Sequence, residues 1–213
     1  MAFQVFDWKT DITHHLVTPQ IRSRFLRFAP GQVADRHSHD LGHEIFFILK
    51  GEAHFEIEGG ERVVKAGQLC AALADEIHQV RNDDPDEEMI MYLSVTPHIQ
   101  PTHTGRNPDD SRKPARFAPS ISYDRETDIE TPIDQLIDKC AGAARKMAEV
   151  AADSARVQEE TAAQLKAALA ANNLAEAERL REAQWQGIYQ TFKQVYALGE
   201  VWNDLAPRAG KTG

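Results

Sequence analysis

The sequence predicts a β domain, a sandwich or small barrel, followed by a long antiparallel pair of helices. Two observations carry that prediction. Between about residues 20 and 95, short segments rich in β-branched and aromatic residues alternate with Gly or Asp/Asn clusters, with no helical stretch between them. From Thr131 onward, apolar and small residues recur at spacings of four and three, the period of an amphipathic helix.

Taken in chain order, the strand candidates are IRSRFLRF, EIFFILKG, EAHFEIEGG, ERVVKAG and MIMYLSV. Gly59-Gly60 between the third and fourth supplies the positive φ values that a tight hairpin turn needs. Residues 97 to 132 then hold six of the ten prolines and read as an extended connector. His98 and His103 within it read as solvent-exposed loop histidines; the competing reading is a lid over a pocket.

The helical part opens with Thr131 as N-cap and Pro132 at the first helical position, where its missing N–H costs nothing. One stripe runs through Ile133, Ile137, Cys140, Ala144, Met147 and Ala151, weakens at Ser154, Gln158 and Thr161, and resumes at Leu165 and Ala168. Asn172-Asn173 breaks the helix, and Asn173 with Glu176 forms a capping box for the next. That second helix aligns Trp185, Ile188, Phe192, Val195, Trp202 and Leu205. The expected division is residues 1–100 for the β domain, 101–130 for the connector, 131–206 for the helical hairpin and 207–213 for a disordered tail. A hairpin this long leaves apolar surface in need of a partner, so a homodimer through the hairpin is expected; the alternative packs both helices on their own β domain.

Composition excludes several function classes. A net charge of −9 and a pI near 5.5 argue against nucleic acid or an anionic membrane as partner. No apolar run is long enough to span a bilayer, and the N-terminal MAFQVFDWKT lacks the features of a signal peptide. Two cysteines of different surroundings, Cys70 and Cys140, predict no disulfide framework and a cytoplasmic location. Cys70 reads as a small buried hydrophobe, since no basic partner lies nearby in sequence.

The chemistry concentrates in GQVADRHSHDLGHEIFFILKG, residues 31–51. On a strand His37 and His39 point the same way, and Glu44 reaches the same point if DLGH forms a turn, made easier by Gly42. Such a mixed His/carboxylate set suits Fe, Mn, Co, Ni, Cu or Zn. A further ligand should come from elsewhere, and His78 is the best candidate, against the alternative of a lone structural histidine.

These residues carry a resemblance. Gly31, His37, His39, Glu44 and Gly51 fill every defining position of the first motif of the cupin superfamily, G-x5-H-x-H-x4-E-x6-G. Gly59, Gly67, His78 and Asn82 fall where the second motif expects them, while Lys65, Gln68, Leu73 and Ala74 depart from it at turn-shaping positions. The resemblance spans about residues 20–96 and implies a jelly-roll β-barrel. It also implies a divalent transition metal (Fe, Mn, Ni, Cu or Zn) held by His37, His39, Glu44 and His78, with open positions for substrate or water. His43 would then be a rim residue facing away from Glu44.

Such a site implies a metal-dependent enzyme on a small oxygen-rich organic acid or enol, dioxygenase-like, with isomerase or lyase chemistry also within the family. Glu44 is the catalytic candidate, as a carboxylate able to leave the metal and act as base. The competing class is a non-catalytic small-ligand-binding or sensing module whose hairpin mediates dimerisation or partner binding. For substrate contacts, Arg22 and Arg24 share one strand face and offer guanidinium groups to a carboxylate, against the alternative of a solvated outer face. Tyr92 offers a hydrogen bond, against the alternative of a core tyrosine.

Overall fold

A computed structural model describes residues 3–126 and 128–210. Ten strands come first: β1 (His14–Thr18), β2 (Ile21–Phe28), β3 (His37–Ser38), β4 (His43–Lys50), β5 (Glu52–Ile57), β6 (Gly60–Lys65), β7 (Leu69–Ala72), β8 (His78–Arg81), β9 (Met89–Thr96) and β10 (Thr104–Gly105). Two helices follow, α1 (Ile133–Ala170) and α2 (Leu174–Leu205). The chain divides into two compact units, one running up to Ile129 and including the segment from Ala206 on, the other Glu130–Leu205.

The first unit is two five-stranded antiparallel sheets, ordered β1-β2-β9-β4-β7 and β10-β3-β8-β5-β6. Strict alternation along β4 sorts the side chains: Glu44, Phe46 and Ile48 are buried, and the residues between them are less so. Phe28, Phe46, Ile48, Met89 and Met91 of one sheet pack with Ala53, Phe55, Val64 and Val80 of the other to make the core. The Phe46 and Phe55 rings meet across it at 4.8 Å. Fully burying a Phe, Ile, Val or Met side chain of this core is worth about 1.5–3 kcal/mol.

The β5–β6 hairpin turns on Glu58-Gly59, not on Gly59-Gly60: Glu58 and Gly59 carry the positive φ values, +48° and +73°, while Gly60 opens β6. Two adjacent left-handed residues match the twist of the flanking strands. The role expected of Gly42 also differs. A Cβ there would sit 3.1 Å from the carbonyl oxygens of Thr96 and Pro97, so the glycine permits two backbone segments to approach.

In the second unit Pro132 takes the cap position of α1, one residue beyond the expected Thr131. At the other helix the Asn173 side chain accepts from the Glu176 N–H at 3.3 Å, while Glu176 turns to Arg179 instead of closing the box. The two helices bury a small apolar cluster, Ala168, Ala177 and Leu180 with Leu165 against it, and Leu136 and Leu205 are buried as well. The weak part of the α1 stripe is the polar middle of their seam. There Gln158 donates to the Gln184 carbonyl at 3.1 Å, Gln184 donates to Thr161 at 2.8 Å, and Gly187 lies against Ser154. Trp185, Ile188 and Phe192 are exposed, with Tyr189 beside them. Of the expected tail, Pro207 and Arg208 lie in a short 3-10 turn, and Arg208 donates to the Asp128 carbonyl at 2.7 Å. Residues 211–213 lie outside the described part. Among the described residues, no helix is long and apolar enough to cross a membrane.

Candidate metal centre

Sheet register brings the four motif residues to one point. Glu44 opens the buried face of β4, and His37 on β3 is paired with His78 at the start of β8. His39 follows β3 directly and is 2% exposed; Glu44 and His78 are equally buried, at 3% and 1%. One ligand atom from each of His37, His39, Glu44 and His78 lies within 4.8 Å of every other. The Nε2 atoms of His39 and His78 stand 2.9 and 3.0 Å from Glu44 Oε2, and that of His37 at 3.9 Å.

The outer nitrogens explain why the inner ones converge. His37 Nδ1 meets the Asp35 carbonyl at 2.8 Å, His78 Nδ1 the Glu76 carbonyl at 2.9 Å, and His39 Nδ1 the Thr102 carbonyl. A carbonyl only accepts, so each Nδ1 carries a proton and each ring aims its Nε2 inward, where the neutral tautomer would present a lone pair to a cation. Three lone pairs around a carboxylate repel one another unless a cation sits among them. The three Nε2 atoms lie 2.9 to 3.9 Å from the carboxylate oxygen, a spacing that one ion held about 2.0–2.2 Å from each donor could span. The donor set therefore fits a divalent transition metal.

Electrostatics agree. Burial alone would raise the Glu44 pKa, but the His39 and His78 rings against its carboxylate and the nearby Arg22 charge hold it well below the usual carboxylate range. Burial, then the neighbouring His78, pushes His37 down to about 4, which keeps it neutral and ligand-competent.

The surroundings come largely from the connector. β10 pairs with β3 and so lies beside a ligand strand, and Arg106 donates to Ser38 at 2.6 Å. His98 is 2% exposed, and the His103 ring stands 4.9 and 4.7 Å from those of His37 and His39. The exposed-loop reading of both histidines is thereby overturned, because the connector returns to the barrel as an edge strand. Burial lowers His98 to about 3 and His103 well below its ordinary value. Thr102 and Tyr123, which face each other at 3.3 Å, also belong here and carried no local sequence signal. His43 is exposed, and its Nδ1 accepts from the Ala74 N–H at 2.9 Å, tying the ligand turn to the loop before His78.

Arg22, Val95 and Glu44 occupy one rung across β2, β9 and β4, so their side chains share a face. Arg22 is 4% exposed, which removes the solvated-face alternative for it. Arg24, two residues on, shares that face on the rung of Leu93 and Phe46. Tyr92 sits on the rung of Phe25 and Phe47, the opposite face, and meets Phe25 edge-on at 6.2 Å, away from the histidines. Cys70 is half-buried, and burial pushes its thiol up to about 12, as suits a packing residue.

The cupin domain family matches residues 24–96. The chain is similar to an oxalate-binding protein of Thermotoga maritima, 33% identical over 57 residues, which covers 27% of this chain and 47% of that protein. It is likewise similar to the pectin degradation protein KdgF of Dickeya dadantii, 33% identical over 55 residues, covering 26% of this chain and 50% of the relative. The chain thus spans about half the length of the curated relatives it matches. Among solved structures, a Klebsiella pneumoniae protein with a double-stranded β-helix domain is 21% identical with a TM-score of 0.45, covering 50% of this chain and 99% of that one.

Proposed function

The chain belongs to the cupin superfamily through residues 24–96, and from that premise we propose that it is a metal-dependent enzyme acting on a small oxygen-rich organic acid or enol, of dioxygenase type. The observation that carries the reading is the convergence of three imidazole Nε2 atoms on one carboxylate oxygen. His37, His39, Glu44 and His78 would hold the ion, which among Fe, Mn, Ni, Cu and Zn supplies Lewis acidity and, for the redox-active members, a meeting point for O₂. The Asp35, Thr102 and Glu76 carbonyls fix the three imidazole tautomers. His103 and Thr102 shield the histidines from the connector side. Glu44 is the group we assign to take the acidic proton of the substrate on its carboxylate. One relative is named for binding oxalate, itself a small oxygen-rich acid, which supports the substrate class. Two unpaired cysteines support a reducing, cytoplasmic setting.

Elemental analysis of the purified protein and of a His37→Ala/His39→Ala variant tests the reading. Near-stoichiometric transition metal in the wild type, absent from the variant, supports it, and O₂ consumption with oxo and hydroxy acids then tests the dioxygenase class. Equal absence of metal from both proteins after reconstitution defeats it.

A second reading is favoured by one feature of α2: Trp185 and Phe192 are 51% and 57% exposed beside Ile188 and Tyr189. Such an apolar face suits a homodimer through the hairpin, with the barrel as a ligand-binding module. Light scattering should report a dimer for the wild type and a monomer for a Trp185→Ser/Phe192→Ser variant. A monomeric wild type ends this reading.

A further inference from the structure

Beside the metal ligands lies a second cluster that the ligand chemistry does not use. Arg22 is buried, its Nε has no hydrogen-bond partner, and its nearest polar contact is a long one, Nη2 to His103 Nε2 at 3.4 Å. Its guanidinium lies over the Tyr123 ring at 5.5 Å. Arg24, on the same face of β2, likewise has a buried Nε with no partner. Among the described residues neither arginine forms an ion pair: the nearby carboxylates are Glu44, engaged by the histidines, and Asp124, engaged by His14.

His14 completes the cluster. It pairs with Arg24 across β1 and β2 and so shares that face. Its Nδ1 lies 2.9 Å from Asp124 Oδ2, and since a carboxylate only accepts, Nδ1 carries the proton and Nε2 is a bare acceptor. That Nε2 is also buried and without a partner. Burial, the largest influence, lowers His14 to about 4, consistent with a neutral ring.

Two like charges a strand step apart on one inward face repel in a medium that screens poorly, and each leaves a donor unmet. Resting on the metal-enzyme reading above, we propose that Arg22, Arg24 and His14 form the anchoring subsite for the carboxylate of a hydroxy acid. The carboxylate sits between the two guanidinium groups and an adjacent hydroxyl donates to His14 Nε2. Two charged donors and one acceptor complement that pair of groups. Arg22 shares a rung with Glu44, two strand spacings or about 10 Å apart at the backbone, so the anchored acid lies beside the metal and one small molecule can reach both.

The test reads the arginine Nε–H resonances of ¹⁵N-labelled, metal-stripped full-length protein, with Arg22→Lys and Arg24→Lys to assign them. Lactate is titrated against propionate, which lacks the hydroxyl, and against chloride at matched ionic strength. The expected result is a saturable shift of both resonances with lactate, about tenfold weaker binding in Arg22→Lys because the planar fork is lost, and no saturation with chloride. Weaker binding of propionate than of lactate is the expected signature of His14; equal binding overturns its part. Resonances that lactate leaves unmoved to tens of millimolar, or that chloride moves equally, overturn the proposal. The His37→Ala/His39→Ala variant separates the two ideas. Anion binding that persists in it, beside a wild type that takes up no metal, would defeat the metal reading alone. Metal uptake with immobile Nε signals would defeat the anchoring subsite alone.

Discussion

Replacing Glu44 with glutamine isolates the charge at the candidate metal centre. The side chain is 3% exposed, and the substitution preserves its shape, so the core around Phe46 and Ile48 stays filled. What changes is the partner of the three inward nitrogens, two of which lie 2.9 and 3.0 Å from the carboxylate. Removing one member of a buried charged pair costs about 3–5 kcal/mol, which at 1.4 kcal/mol per decade is about a hundred- to several-thousand-fold in metal affinity. Competition with a coloured chelator at neutral pH measures the ratio directly. Glu58→Gln, which alters a carboxylate accepting from the Ile77 N–H, is the control for a merely local effect. If Glu44→Gln holds metal within about threefold of wild type, less than 1 kcal/mol, the carboxylate is not a ligand and the convergence of nitrogens needs another explanation.

Three further outcomes follow from the geometry. His14 and His98 are held neutral in the fold, at about 4 and about 3, against an unfolded value of 6.5. Between those values the unfolded chain binds more protons, so stability is lost as pH falls from about 6.5 toward 3; urea midpoints that stay flat across that window would contradict this burial. Gly42→Ala drives a Cβ to 3.1 Å from two backbone carbonyl oxygens and should destabilise the barrel by about 1–3 kcal/mol and weaken metal binding, both measurable by urea titration with and without metal. Gly187→Ala places a Cβ 2.8 Å from Ser154 Oγ and 3.1 Å from its Cα, which should outweigh the helix-propensity gain of about 1 kcal/mol; a higher melting temperature of the helical signal would show that the seam is not so close.

Three of the four residues in the candidate metal cluster are legible in the sequence because they are encoded locally. His37, His39 and Glu44 lie within eight residues, and a strand–turn–strand of that length can fold them onto one point. The long strands are equally visible: IRSRFLRF is β2, residue for residue. The short strands β3, β7, β8 and β10 are not, since two to four residues carry too little pattern and exist only because a neighbour supplies hydrogen bonds. The α1 and α2 spans lie close to expectation, and the α1 stripe from Cys140 to Ala168 is the half-buried one, but the first part of the α2 stripe is exposed. Ser154, Gln158 and Thr161 meet α2 through hydrogen bonds and close contact, leaving Trp185 and Phe192 outside.

Sequence by itself therefore determined the barrel and the paired helices, because period and spacing are properties of neighbouring positions, and the motif resemblance singled out the four residues that the fold brings within 4.8 Å of one another. Tertiary structure alone decided the rest. Only strand register placed Arg22 and Arg24 on the inner face and Tyr92 on the other, because alternation says that residues share a face without saying which face is buried. Only the return of the connector to β3 brought His103, Thr102 and Tyr123 to the site across more than sixty residues, a proximity that comes from sheet pairing and leaves no local trace.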